Sequence, residues 1–128
     1  MQEDIVSYSM DEFNALIMNL IVSMGYGGGR KQVEMDLTLN KDEKTVEGII
    51  NEDVLGLRKI FLKAKHTEDK ILIDEINSFT EFVNESNVEN GVFITISDFE
   101  IPVNEEKNSK IRLVNGKELH QLIFNFGI

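Results

Sequence analysis

The pattern of hydrophobic and polar positions predicts a helix at the start of the chain. Apolar residues recur there at steps of three and four, the spacing of one helix face: Phe13, Leu16, Ile17, Leu20, Ile21 and Met24. Ser9 and Glu12 have the spacing of a capping box, and Gly25 follows the last apolar position, so the helix is predicted to end there. The glycine-rich stretch 25–30 is predicted to be a flexible connection. It is not a phosphate loop, because no Gly-Lys-Ser/Thr ending follows it.

The middle of the chain is predicted to form three strands and a second helix. The first strand is indicated by apolar residues that alternate with polar ones: Val33, Met35, Leu37 and Leu39. Residues 45–50 and 58–65 predict two further strands. Residues 70–86 predict an amphipathic helix, because their apolar positions are spaced by four, three and four: Leu72, Ile76, Phe79 and Val83.

The last third of the chain predicts two strands and a closing helix. Residues 91–97 are nearly all apolar, which is typical of a strand buried on both faces inside a sheet. A further strand is expected at 111–114, and a terminal helix at 119–126. The predicted order is therefore α-β-β-β-α-β-β-α. We expect one α/β domain over residues 1–128, with a mixed central sheet flanked by helices.

Composition narrows the class of protein. The 128 residues are 41% hydrophobic, which indicates an ordinary globular domain. The chain has 13 basic and 23 acidic residues, so its net charge is −10, the opposite balance to that of a free-standing nucleic-acid binder. Cysteine is absent, which excludes disulfides and thiolate chemistry. No apolar run has the length of a signal or membrane segment, so we expect a cytoplasmic, soluble protein.

Several short motifs together resemble the catalytic domain of Mrr-type restriction endonucleases. The stretches 24–28 (MGYGG), 48–50 (GII), 53–57 (DVLGL), 64–65 (AK), 91–95 (GVFIT) and 115–119 (NGKEL) carry the resemblance, with family-like spacing from about residue 8 to 127. That family belongs to the PD-(D/E)XK nuclease superfamily. The resemblance implies a restriction-endonuclease-like three-layer core, a divalent metal that is usually Mg²⁺, and a role in restriction of foreign or modified DNA.

The resemblance also implies where a catalytic site would lie. Its metal ligands are an aspartate before the Gly-Ile pair and a glutamine two residues before a lysine, assisted by a glutamate on the first helix. In this chain Glu47 stands at the position of the aspartate, and Lys63 at that of the glutamine. Lys65 stands at the position of the lysine, and Asn14 at that of the helix glutamate. Only Lys65 keeps the family residue, and Glu47 is the one aligned carboxylate for a metal.

The substitution at Lys63 is the most severe of these departures. Residues two apart on a strand share a face, so Lys63 and Lys65 are predicted to point to the same place. A lysine ammonium has no acceptor atom and repels a cation. Glu47 keeps a carboxylate but adds one methylene, which moves its oxygens by about 1.5 Å. We therefore expect Glu47 to form an ion pair with one of the two lysines, and Mg²⁺ to bind poorly.

Two functions from different classes follow. The first is a non-catalytic or weakly active module with a degenerate metal site, linked to DNA restriction or its inhibition. Its partner would be DNA, a homologous nuclease or another protein. A homodimer is a further alternative. The second is an active Mg²⁺-dependent, type IV-like endonuclease that hydrolyses phosphodiester bonds. Here Glu47, Asn14 and either Asp42 or Glu43 would bind the metal, and Lys65 would act on the nucleophile. The plain alternative is that these charged residues form the solvated side of a strand.

Overall fold

The computed structural model describes residues 5–53, 55–100 and 110–128. After a short 3-10 helix at Ile5–Ser7, the elements are α1 (Met10–Ser23), α2 (Arg30–Asp36), β1 (Thr38–Asn40), β2 (Thr45–Asn51), β3 (Lys59–Lys65), α3 (Ile73–Glu85), β4 (Asn90–Thr95), β5 (Ile111–Val114) and α4 (Gly116–Asn125). The strands form one sheet in the order β1-β2-β3-β4-β5. The β1-β2 and β2-β3 pairs are antiparallel, and the β3-β4 and β4-β5 pairs are parallel. The mixed sheet confirms the expected α/β class.

Helices cover both faces of the sheet. Successive strand residues point to opposite sides, so each face packs its own set of side chains against its helices. On one face, α1, α2 and α4 pack in a cluster with strand residues such as Val46, Leu62 and Ile94. On the other face, α3 packs on aromatic strand residues, Phe61 and Phe93. The prediction that the first and second long helices pack on the sheet is therefore confirmed, as is the interior position of the 91–97 strand.

The predicted strand over residues 33–39 is wrong in its first half. Residues 30–36 form α2, and only Thr38–Asn40 forms a strand. The apolar alternation does not mark one buried face, because Val33 is fully buried whereas Met35 is 74% exposed. Pairs four residues apart favour the helix instead: Arg30 forms an ion pair with Glu34, and the Gln32 amide donates to the Asp36 carboxylate.

The boundaries of α1 agree with its sequence signals, and the glycine stretch after it contacts the sheet through Gly27. Glu12 N–H donates to Ser9 Oγ and Ser9 N–H donates to Glu12 Oε1, which completes the predicted capping box. Gly27 has a φ of +87° and is buried, with its N–H donating to the Asn51 carbonyl. Among the described helices, none is long and apolar enough to cross a membrane.

Candidate functional site

Strand register brings Glu47 and Lys63 together on the α3 face of the sheet. Glu47 on β2 is the direct antiparallel partner of Lys63 on β3, and Lys63 is in turn aligned with Phe93 on β4. Directly opposed residues have Cβ atoms about 4.5–5.5 Å apart and point to the same side. One row along, Lys65 is aligned in the same way with Thr45 and Thr95. The two lysines therefore share one face with Glu47.

Lys65 is paired with a carboxylate that comes from α3. Its Nζ donates to Glu75 Oε2 at 2.7 Å, and the two side chains are 26% and 34% exposed. Glu75 lies in the first turn of α3, ten residues after Lys65 along the chain. The only predicted site residue that keeps the family identity thus has an ion-pair partner outside the predicted set.

Lys63 extends towards the aromatic cluster under α3. Its Nζ lies 5.5 Å from the centroid of the Phe93 ring, a cation–π distance. Phe93 is fully buried, and its ring contacts those of Phe79 and Phe99. The expected ion pair of Glu47 with Lys63 or Lys65 is wrong: within the part of the chain that the structure describes, neither lysine nitrogen lies within 4.0 Å of a Glu47 oxygen. The aromatic face and Glu75 take its place.

Asn14 belongs to the other side of the sheet. It is half-buried on α1, whose buried residues pack on the opposite face from Lys63. The neighbouring Phe13 ring contacts the ring of His66, just beyond the end of β3, at a centroid distance of 5.0 Å. For the described residues, no hydrogen bond connects Asn14 with Glu47 or either lysine. Asp42 and Glu43 are exposed in the turn between β1 and β2 and do not join the cluster by any ion pair.

The sequence of the chain matches a known protein family. The restriction endonuclease family of the Mrr catalytic type matches residues 5–123, almost the whole chain. The chain belongs to that family. It is also similar to the type IV methyl-directed restriction enzyme EcoKMrr of Escherichia coli K12, at 27% identity over 126 residues. The match covers 96% of this chain but only 41% of the E. coli enzyme, so the chain spans less than half of its relative.

Mrr-type restriction endonucleases act on DNA and use Mg²⁺, which prefers oxygen ligands in octahedral geometry. On the α3 face of this chain, two carboxylates and two ammonium groups lie close to one another: Glu47, Glu75, Lys63 and Lys65. Over residues 5–53, 55–100 and 110–128, no three His, Asp or Glu side chains converge in a way that could hold a metal ion. An ammonium has no acceptor atom, so only the two carboxylates of this face could be metal ligands.

Two residues of this cluster, Glu75 and Phe93, were not singled out from the sequence. Glu75 precedes Ile76 and lies four residues before Phe79, which places it on the flank of the apolar face of α3. This position on the helix was an indication, readable from the sequence, that Glu75 points towards the sheet. Phe93 gave no such signal as a cation partner, because its alignment with Lys63 depends on a parallel pairing between strands.

Proposed function

We propose that this chain is a non-catalytic or weakly active Mrr-type module with a degenerate metal site, linked to DNA restriction or its inhibition. The observation that supports this most strongly is the cross-strand pair of Glu47 and Lys63. At the family's ligand position the chain presents a lysine that is the cross-strand partner of the one aligned carboxylate, with its ammonium over the Phe93 ring. A divalent cation at Glu47 would therefore meet a second positive charge on the same face, from a side chain that offers no acceptor atom.

Coulomb's law gives the free-energy cost of bringing these charges together. A charge of +1 that came within about 4 Å of a charge of +2 would cost several kcal/mol, even at an effective dielectric constant of about 20. The second ammonium of this face, on Lys65, is paired with Glu75, so the opposing charge is mainly that of Lys63. Magnesium sites in proteins use one or two carboxylates plus water and substrate phosphates, and here the one aligned carboxylate would have to bind the cation against that repulsion. We therefore infer that Mg²⁺ binds no more tightly than in the millimolar range.

Net charge supports a role through binding to a partner protein. With a net charge of −10, the chain repels the DNA backbone at long range. An acidic module with this fold is suited to pairing with a homologous nuclease, whose DNA-binding surface must be basic, and so to inhibiting it. The match covers only 41% of EcoKMrr, so the rest of that enzyme lies outside the region that resembles this chain.

The second candidate function is an active Mg²⁺-dependent endonuclease. It is favoured by the retained Lys65 and by the carboxylate of Glu47 at the family's aspartate position. In that case Glu47 would hold the metal with oxygens from substrate phosphate and water, and Lys65 would stabilise the charge that develops on phosphorus. Lys65 would first have to leave Glu75.

A calorimetric titration with Mg²⁺ and Mn²⁺ tests the proposal directly. The unmodified chain should give no signal in the micromolar range, and Lys63→Gln should bind Mn²⁺ at least tenfold more tightly, because it removes the opposing charge and restores an oxygen donor. Lys59→Gln is the matched control, since Lys59 lies on the same strand but is exposed and bonds to Asn51. Its metal affinity should equal that of the unmodified chain.

Plasmid cleavage provides the second arm. We expect no nicking by the unmodified chain in Mg²⁺, and none by Lys63→Gln alone, because ligand sets act as a unit and single repairs are not additive. Recovery should need Glu47→Asp and Asn14→Glu as well. Nicking by the unmodified chain that Lys65→Ala abolishes would overturn the proposal in favour of the nuclease.

A further inference from the structure

We propose that Glu75 is a positioning residue that holds the Lys65 ammonium against α3 and so withholds its charge from phosphate at the open face of the sheet. This rests on the proposed function, because it treats the site as one that does not recruit a metal. Glu75 lies on α3, outside the positions of this chain that match the family's metal ligands. It would regulate the site without being one of its ligands. The ligand class concerned is the backbone phosphate of duplex DNA.

The contact itself is short and fixed from both sides. Lys65 Nζ and Glu75 Oε2 are 2.7 Å apart, a charge-assisted distance, and both side chains are about one-third exposed or less. The start of α3 is anchored, because Ile73 N–H donates to the Glu100 carboxylate at 2.7 Å. Just before it, Ile71 is fully buried and bridges to Phe99. Glu75 is therefore presented to Lys65 by a helix end with little freedom to move.

The strand register explains why Glu75, and not Glu47, pairs with Lys65. Glu47 lies one row away, opposite Lys63, whereas the residues beside Lys65 in its own row are the threonines Thr45 and Thr95. Neither threonine carries a charge that could hold the ammonium. The α3 carboxylate is thus the counterion that the described structure provides for Lys65.

The charges of the cluster explain the expected consequence. Its four charged residues, Glu47, Glu75, Lys63 and Lys65, sum to zero. A neutral cluster on a chain of net charge −10 offers no attraction to a phosphate. Removing the charge of Glu75 makes the cluster +1 and leaves Lys65 with no carboxylate partner among the described residues, so that its ammonium can turn to a phosphate oxygen.

Binding of a short duplex DNA at low salt tests this. Glu75→Gln should bind roughly tenfold more tightly than the unmodified chain, and the slope of log affinity against log salt should steepen by about 0.9 for one added phosphate contact. Glu81→Gln is the matched control, because Glu81 is an exposed glutamate of the same helix and the change in net charge is identical. Its affinity should change less than twofold. The double variant Glu75→Gln/Lys65→Gln should lose the gain.

A second measurement separates positioning from a purely structural role. The rate of amine modification of Lys65, followed by mass spectrometry with the exposed Lys70 as an internal reference, should rise several-fold in Glu75→Gln. Glu75→Asp should restore part of the protection, since it keeps the carboxylate on a shorter arm. Modification of Lys65 as fast as that of Lys70 in the unmodified chain would overturn the inference, and this arm does not depend on the variants folding.

The outcomes for this inference and for the proposed function are distinct. Equal DNA affinities for Glu75→Gln and Glu81→Gln overturn the role of Glu75, while an unmodified chain that still neither binds metal nor nicks plasmid leaves the degenerate site standing. Conversely, nicking by the unmodified chain overturns the proposed function, whether or not Glu75 protects Lys65.

Discussion

The two faces of the sheet differ most clearly along β2. On the face covered by α1, α2 and α4, Val46 and Ile50 are 0% and 2% exposed. On the α3 face of the same strand, Glu47 is half-buried and Ile49 is 42% exposed. The difference arises because α3 packs on core residues of β3, β4 and β5 and covers β2 less completely. On that side of β2, Thr45 is 2% exposed, whereas Glu47 and Ile49 are not buried.

This comparison shows how one strand serves two purposes. Its inner face contributes to the larger hydrophobic cluster, where any polar group would need a hydrogen-bond partner. Its outer face carries one charged residue, Glu47, which remains within reach of solvent, as a residue that meets a ligand must. The same division holds on β3, where Leu62 and Ala64 are buried on one side and Lys63 and Lys65 are half-buried on the other.

The largest effect should come from truncating neighbours on opposite faces. Ile50→Ala removes a side chain that is 2% exposed and should lower the free energy of unfolding by about 2–5 kcal/mol. Ile49→Ala, one residue earlier and 42% exposed, should cost about 1 kcal/mol or less. Chemical denaturation of both variants gives the comparison. Equal losses would show that α3 and its surroundings cover β2 as fully as α1 does.

Adding a methyl group on each face should have the next largest effect. A Cβ at Gly48 would lie 2.0 Å from the Asp36 backbone oxygen, whereas at Gly91 its nearest neighbour would be a side-chain methyl of Val83 at 2.4 Å. Backbone yields less readily than a side chain, so Gly48→Ala should cost about 2–3 kcal/mol and Gly91→Ala about 1–2 kcal/mol. The midpoints of thermal unfolding measure both. The reverse order would mean that α2 adjusts more easily than α3.

The smallest effect on stability should come from Lys63→Gln, although its effect on metal binding is large. The side chain is half-buried, and its contact with the Phe93 ring contributes about 0.5–1 kcal/mol. We therefore expect the free energy of unfolding to fall by no more than about 1 kcal/mol, measured by urea titration beside Lys59→Gln. A loss of several kcal/mol would show that Lys63 is part of the core and not of the open face.

Periodicity was a good guide where one face of an element is buried. The stepwise apolar residues of α1 and the continuous run of β4 were both recognised from sequence, because packing against the sheet demands those patterns. The segment at 33–39 misled, since two residues that look equivalent, Val33 and Met35, have opposite exposures on a helix of seven residues. Its pairs of polar residues four apart indicated the helix more reliably than its apolar positions did.

The site was predictable only in part. Lys63 and Lys65 were placed on one face by the period of a strand, and this held. Their partners were not predictable, because Glu75 and Phe93 reach them through tertiary packing of α3 and through parallel pairing with β4. Asn14 was assigned by its position in the family motif, yet its helix packs on the far side of the sheet.

The lengths of the outer strands have a consequence for how separate molecules meet. Among the residues that the structure describes, the sheet ends at β1, with three residues, on one side and at β5, with four residues, on the other, while the interior strands have six or seven. A strand at the border of a sheet exposes unpaired backbone groups that can template addition of another chain. Here the rows of unsatisfied groups are short, and Lys41 follows β1 as a charged, exposed neighbour. The long, apolar strands that would aggregate most readily are kept in the interior, so the architecture resists edge-to-edge polymerisation.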